Sequence, residues 1–509
     1  MADRRHLIFL LAITAVCYLP SLSFQFVFDD HYLITENALL QSSAGLQSGF
    51  TRDYYGQTNP QYALGYYRPL TATTHWLDWQ LWGKNATGHH LTNILLHLGC
   101  VLVLYFLLQS LLGNETIAFL ASVIFALHPS HANTVSFISG RVDAIATMFC
   151  FLGFLLYFKR RWWGPVFYAA ALLSKEISVT LPILIFWKEK ENGWQKGFVR
   201  MIPFGVALVA VAFLRWKVLG HLAHAPLALL QQIPQAGLIF LHYIRLMMIP
   251  PFELYFEPSV SDLPFFLSIL SAAIFAAGIF LIRNQKVAHW AAIWLITLLP
   301  VLGFVQIETT LDERFLYLPS VSFCLLAAGL VTQYLVHRNG SSEIPAKHVW
   351  IVAILIAIIY APWLITREYY WQNDLALWRS AAVTSPASSK VHFRLGVANL
   401  EAGDFAQAES EFQTALSLPQ TEPQITSAIY THLATALQLE GKNGAEELYR
   451  KAIQLTPNYY TAHFNLALFY EKAERWNEAA SEFQAALRCN PQSIAARQHL
   501  DATTKSPRH

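Results

Sequence analysis

Asp29 and Asp30 stand side by side, directly after an apolar stretch from Leu7 to Phe28 that is long enough to cross a bilayer. Adjacent carboxylates at a membrane boundary cannot both be deeply buried without help. Each needs water, a cation or a hydrogen-bond donor, because a charge near hydrocarbon is costly unless it is paired. Two solvated loop acids would look the same in sequence, so the pair acquires meaning only from what else lies near it. Five further polar motifs flank apolar runs: Tyr67-Arg68-Pro69-Leu70, His128-Pro129-Ser130-His131, Gly140-Arg141-Val142-Asp143, Ser174-Lys175-Glu176 and Asp312-Glu313-Arg314. Any one of them alone reads as an ion pair or a snorkelling cation at a helix end.

Together they suit one chemistry. A lipid-phosphate sugar donor presents its phosphate at headgroup level, where guanidinium groups can bind it with two parallel hydrogen bonds. A carboxylate can then take the proton of an acceptor hydroxyl as that oxygen attacks the anomeric carbon and lipid phosphate leaves. Nearby cations stabilise the charge growing on the leaving group. On this reading Asp29 or Asp30 is the general base, and Arg68, Arg141, Lys175 and Arg314 bind the donor phosphate. His128, His131, Asp143, Glu176 and Glu313 support the site.

The elements that must position these groups follow from composition. Of 509 residues, 54% are hydrophobic and 13% charged, about half the charged fraction of an ordinary globular chain. That balance is expected of an all-α polytopic membrane protein. The net charge of +2 is uninformative, and no basic block points to nucleic acid as a partner. Five cysteines with no CxxC pair read as packing residues. The opening MADRRH followed by an apolar run has the charge pattern of a signal sequence. No small-residue cleavage site precedes Asp29, so an uncleaved anchor is expected.

About eleven spans are expected from the requirement for roughly 20 apolar residues each. They fall near 7–27, 91–112, 117–136, 141–158, 162–174, 176–188, 198–219, 264–282, 287–306, 315–336 and 349–366, the fifth and sixth being short. The stretch 228–250 is interrupted by Pro234, His242 and Arg245 and is expected as an interfacial helix. Arg4-Arg5, Lys159-Arg160-Arg161, the connector from Lys188 to Arg200, Arg283/Lys286 and Arg338/Lys347 all fall on one side under this count. The positive-inside rule makes that side the cytoplasm. The acid pair, the cation motifs and the carboxy-terminal region then face the other side. In the long loop 29–90, apolar residues recur at helical spacing from Leu70 to Trp82, with Trp and His at the edge, as in a helix lying in the headgroup layer.

The chain changes character near residue 370, giving a membrane domain 1–370 and a second domain 371–509. The latter is Ala-rich and internally repetitive. His463, Leu466-Ala467, Tyr470, Ala479, Phe483, Ala486 and Pro491 follow the 34-residue tetratricopeptide spacing, with His463 where Trp is usual. Leu433-Ala434, Gly441, Ala445, Tyr449, Ala452 and Pro457 form a preceding copy. His392, Leu395-Gly396, Gly403, Ala408, Phe412 and Ala415 form an earlier one. About three repeats over 388–495 are enough for a small α-solenoid that binds a peptide or protein.

Phe28-Asp29-Asp30 after the first span, YRPL at 67–70, HPSH at 128–131, GRVD at 140–143, SKE at 174–176 and ERFLYLPS at 313–320, all ahead of tetratricopeptide repeats, resemble the transmembrane and tetratricopeptide-repeat O-mannosyltransferases. The resemblance covers nearly the whole chain with the motifs in order. It implies a GT-C glycosyltransferase fold, a polyprenyl- or dolichyl-phosphate sugar donor carrying mannose or another hexose, and Ser/Thr hydroxyls of a protein as acceptor. It maps the family's acid pair onto Asp29 and Asp30. One departure stands out: HPxH is commonly followed by Thr-Glu, and here Ala132-Asn133 follows. Metal use varies among related GT-C enzymes, so the resemblance leaves a divalent ion open and assigns no metal ligand. A bacterial inner membrane with a periplasmic active face is the expected setting, or the lumenal face of the endoplasmic reticulum in a eukaryote. The competing function is a non-catalytic membrane scaffold that recruits partners through its repeats. Transport fits less well, because the charges gather at one face and do not line a path across the bilayer.

Overall fold

The computed structural model describes residues 3–58, 63–190, 193–221, 229–250, 265–302, 311–340, 344–419 and 422–505, and every regular element among them is helical. The chain divides into two compact units, Met1–Asn373 and Asp374–His509.

Among the described residues of the first unit, six helical segments are long and apolar enough to cross a membrane: Arg4–Ser23, Ala86–Leu112, Ile138–Lys159, Trp194–Leu219, Val321–Asn339 and Ala346–Trp371. The chain is a multi-pass membrane protein. Six of the eleven expected spans are met by such segments, while Glu115–Leu127, Trp163–Leu172 and Phe265–Leu281 are apolar but shorter. The reason is local. The run expected at 117–136 stops at Leu127 because Pro129 disfavours helical backbone at His128, whose φ of −62° and ψ of 123° are extended. Thirteen residues rise only about 20 Å, against a hydrocarbon core of about 30 Å. This helix can stay short because it lies inside the bundle, with every residue from Ile117 to Leu127 buried. The runs expected at 162–174 and 176–188 form a helix Trp163–Leu172, a tight 3-10 segment Glu176–Thr180 and a helix Leu181–Glu189, each too short to cross alone. Around them the outer helices turn large apolar side chains outward, Phe280 at 88% exposed and Val209 at 68% among them. Such faces are stable only against lipid or another protein.

The stretch expected as an interfacial helix at 228–250 forms a helix, Leu229–Met248, whose described face buries Ile239, His242, Tyr243, Ile244 and Met247. The periodic stretch from Leu70 to Trp82 forms the helix Pro69–Trp82. Its inward face is polar, with Thr71, His75 and Asp78 buried at helical spacing, while Leu77 and Leu81 are exposed. The apolar stripe therefore points away from the bundle and the polar stripe toward it.

The second unit stacks helix pairs. Ser389–Glu401 packs with Phe405–Ser417, Pro423–Glu440 with Ala445–Leu455, and Tyr460–Lys472 with Trp476–Cys489. A helix Asp374–Thr384 precedes them and Ile494–Lys505 follows. Gly396 is required by close packing: a Cβ there would lie 2.5 Å from the Phe412 ring. His463 takes the place of the usual Trp by bridging two elements. Its Nδ1 lies 2.6 Å from Glu482 Oε2 and its Nε2 lies 2.9 Å from the Pro457 carbonyl. His392 repeats the arrangement, with Glu411 Oε2 at 2.7 Å and the Pro386 carbonyl at 2.9 Å.

Candidate functional site

The first span ends in the 3-10 turn Leu19–Ser23, and the chain then runs extended to Phe28. Phe28 has a φ of 51°, a left-handed backbone conformation that is uncommon and costly for a residue with a side chain. The turn sends the two neighbouring acids to different environments. Asp30 is fully buried: its Oδ1 accepts from Ser139 N at 2.8 Å and Ser139 Oγ at 2.5 Å, and its Oδ2 accepts from Val27 N at 3.1 Å. Asp29 is half-buried, and the Tyr55 hydroxyl donates to its Oδ2 at 2.9 Å. Burial pushes Asp30 up to about 7 even though all three hydrogen bonds favour its charged form.

The loop that presents Tyr55 is organised by Asp53. Its carboxylate accepts from the backbone N–H groups of Tyr55 (2.9 Å), Gly56 (2.8 Å), Leu64 (3.3 Å) and Tyr66 (2.7 Å). The Tyr32 hydroxyl donates to the Tyr55 carbonyl at 2.6 Å, and Tyr54 meets His75 Nε2 at 3.0 Å. Tyr55, in turn, feels Asp29, Arg314 and Arg68. The acid and these cations therefore share one region.

Three of the four cations expected to bind phosphate border that region, each with an acid beside it. Arg68 lies 4.2 Å from the Tyr66 ring centroid, and its Nε and Nη2 donate to Glu176 Oε2 at 3.3 and 3.1 Å. Burial opposes the Arg68 charge, but Glu176 together with Tyr55, Tyr66 and Tyr54 outweighs it and the net shift is upward. Lys175 donates from Nζ to Asp143 Oδ1 at 2.5 Å and sits 4.7 Å from the Phe315 ring. Burial draws Lys175 down to about 8, with Asp143 opposing the fall. Arg314 Nε lies 2.7 Å from Asp312 Oδ2. Its charge is disfavoured by burial but held by Asp312, Tyr55, Asp143 and Asp29.

The fourth, Arg141, is placed differently from the expectation. It is fully buried, donating to Asp78 Oδ2 at 2.6 Å and to the His89 carbonyl at 2.9 Å, so it ties the helix Pro69–Trp82 to the bundle. Glu313 also serves the framework. It is buried against Arg367, whose Nε donates to the Pro129 carbonyl at 3.1 Å. His128 uses Nδ1 on Ser130 Oγ (2.7 Å) and Nε2 on the Met247 carbonyl (2.8 Å), and His131 Nε2 meets Ser320 Oγ at 3.0 Å. These groups fix the 128–140 segment on which Ser139 holds Asp30. Among the described residues no group of three His, Cys, Asp or Glu side chains could hold a metal ion.

Two residues of the site were not picked out from sequence. Tyr55 lies in the long loop 29–90, where no motif or periodicity marks it. Arg215 sits near the end of the apolar 26-residue helix Trp194–Leu219, where its Nη1 reaches Glu176 Oε1 at 2.9 Å and its Nη2 reaches the Gly65 carbonyl at 2.8 Å. An arginine inside so apolar a run was a usable signal, because such a charge persists only with a partner.

Known proteins are similar to this chain over most of its length. A sequence profile of the tetratricopeptide repeat matches residues 434–494. Protein O-mannosyl-transferase F38B6.6 of Caenorhabditis elegans is 29% identical over 82% of this chain and 64% of its own length. Mouse protein O-mannosyl-transferase TMTC3 is 23% identical over 95% of this chain and 60% of its own, and human TMTC4 is 25% identical over 76% and 62%. The chain thus spans less than two thirds of the length of these curated relatives. With most of the chain aligned and the repeat in place, the protein is a homologue of the TMTC protein O-mannosyl-transferases.

Proposed function

We propose that the protein is a membrane glycosyltransferase that moves a sugar, mannose first among the candidates, from a polyprenyl or dolichyl phosphate to a hydroxyl of an external protein acceptor. The observation that carries this reading is the half-buried Asp29 carboxylate, hydrogen-bonded to Tyr55, in a region bordered by Arg68, Lys175 and Arg314. Asp29 is the general base, and Tyr55 orients it. Asp30 has both oxygens engaged by backbone and Ser139 donors, so it is a positioning residue that anchors the turn. Asp29 takes the acceptor hydroxyl proton as the oxygen bonds to the anomeric carbon from the face opposite the phosphate. The carbon–oxygen bond to phosphate breaks, its electron pair leaves with the lipid phosphate, and configuration inverts. Arg68, Lys175 and Arg314 stabilise that leaving group. Arg141 has no part in the chemistry.

In this reading the bundle is of GT-C type, and the short apolar helices cross in tilted or broken form to make about eleven crossings, their freed backbone groups satisfied inside the protein. By the positive-inside rule the basic connectors support a site on the non-cytoplasmic face, the periplasm in a bacterium and the lumen of the endoplasmic reticulum in a eukaryote. The tetratricopeptide repeats supply a surface for the protein acceptor. The test is transfer by the purified full chain in nanodiscs, given a polyprenyl-phosphate mannose and Ser/Thr-containing protein. Intact-mass spectrometry should show an added hexose, and an unchanged mass with a range of lipid-linked hexoses would overturn the reading.

A further inference from the structure

Each cation of the site lies against a carboxylate of its own: Lys175 on Asp143, Arg314 on Asp312 and Arg68 on Glu176. A neutral pair attracts an anion more weakly than an uncompensated cation, because the carboxylate repels the incoming charge that the cation draws. Arg68 escapes this because Glu176 is shared. One carboxylate oxygen accepts from Arg68 and the other from Arg215. The group of three carries one net positive charge, and Arg68, with the Tyr66 ring on its face, is the member that borders Tyr55, whose hydroxyl donates to Asp29. Arg215 also fixes the Gly65 carbonyl, three residues before Arg68, and so sets where the Arg68 backbone leaves the loop.

We infer that Arg215 is a positioning residue for anion capture: by neutralising Glu176 from behind, it leaves Arg68 with an uncompensated charge for the phosphate of a polyprenyl phosphate. The inference rests on the proposed function for its ligand. It differs from a purely structural role in one respect. If charge balance is what matters, removing the Glu176 charge should make Arg215 dispensable for binding. If packing alone matters, removing a second member of the network should make matters worse.

The test is equilibrium binding of polyprenyl monophosphate to the full chain in neutral-lipid nanodiscs, at low and high salt, with no sugar and no acceptor present. Arg215→Met should weaken binding about tenfold, as loss of one nearby unscreened charge predicts. Arg215→Lys, which keeps the charge, should stay within about threefold of the parent protein. The double variant Arg215→Met/Glu176→Gln restores the net charge and should recover most of the loss. Arg215→Met binding like the parent, or a double variant no tighter than Arg215→Met, would overturn the inference. If the parent protein itself fails to bind polyprenyl monophosphate, the proposed lipid-phosphate donor falls first, so the two failures are told apart.

Discussion

Exchanging each aspartate of the pair for asparagine should produce opposite phenotypes, although the two residues are neighbours. In Asp29→Asn the shape and the Tyr55 hydrogen bond survive, because the amide oxygen can still accept from the hydroxyl that lies 2.9 Å from Oδ2. What is lost is the proton acceptor. General-base catalysis contributes about 10²–10⁴ in rate, or about 3–5 kcal/mol of barrier. Transfer should therefore fall by at least a hundredfold with little change in thermal stability. In Asp30→Asn the amide oxygen can keep the two Ser139 donors, but the amide nitrogen must then face the Val27 N–H that now donates at 3.1 Å. Two donors facing each other in a buried site cost about 1–3 kcal/mol. The melting temperature should fall by about 2–6 °C, while transfer well below that temperature stays within tenfold of the parent. The assay is initial-rate transfer from radiolabelled polyprenyl-phosphate mannose in nanodiscs, with melting followed on the same preparations. Asp29→Asn retaining a third or more of the activity, or folded Asp30→Asn losing a hundredfold, would refute the division of roles. The second outcome would make Asp30 the base.

Three further outcomes are expected. Tyr55→Phe removes a hydrogen bond that favours the charged form of Asp29, so transfer should fall several-fold and the acid limb of the pH–rate profile should move to higher pH; an unmoved limb would show that Tyr55 does not act on the base. Arg141→Gln strands the buried Asp78, at a cost of about 3–5 kcal/mol, and should abolish recovery of monodisperse protein. Arg314→Gln, at a partly exposed pair, should fold and lose transfer, and the reverse pattern would return Arg141 to the phosphate. In the repeats, the Glu482 hydrogen bond raises His463 above its ordinary 6.5, the Glu482 charge adding to it. The protonated ring binds more tightly in the folded state, so its stabilisation is complete below pH 6.5 and lost as pH rises through the raised value. Hydrogen exchange in Tyr460–Lys472 of the full chain should accelerate over that window, and His463→Gln should remove the pH dependence.

Composition and spacing alone determined a helical, multi-pass membrane protein with tetratricopeptide repeats at its carboxy end. Both signals are short-range. Apolar content over some twenty residues decides partition into lipid, and a 34-residue period decides the repeat, down to Gly396, where the Phe412 ring leaves no room for a Cβ. Sequence also showed that acids and cations collect at the ends of apolar runs. Which of them act together depended on contacts between distant segments. The Asp29-Asp30 pair is symmetrical as sequence, and it is the left-handed turn at Phe28 and the docking of Ser139, 109 residues from Asp30, that bury one carboxylate and leave the other beside Tyr55. Arg141 and Arg215 find their partners in the same way. Arg141 sits in a motif yet meets Asp78 in the interior, while Arg215, inside a plain apolar helix, meets Glu176 and Gly65. A charge in so dry a setting takes its role from the partner that neutralises it, and only the tertiary fold chooses that partner.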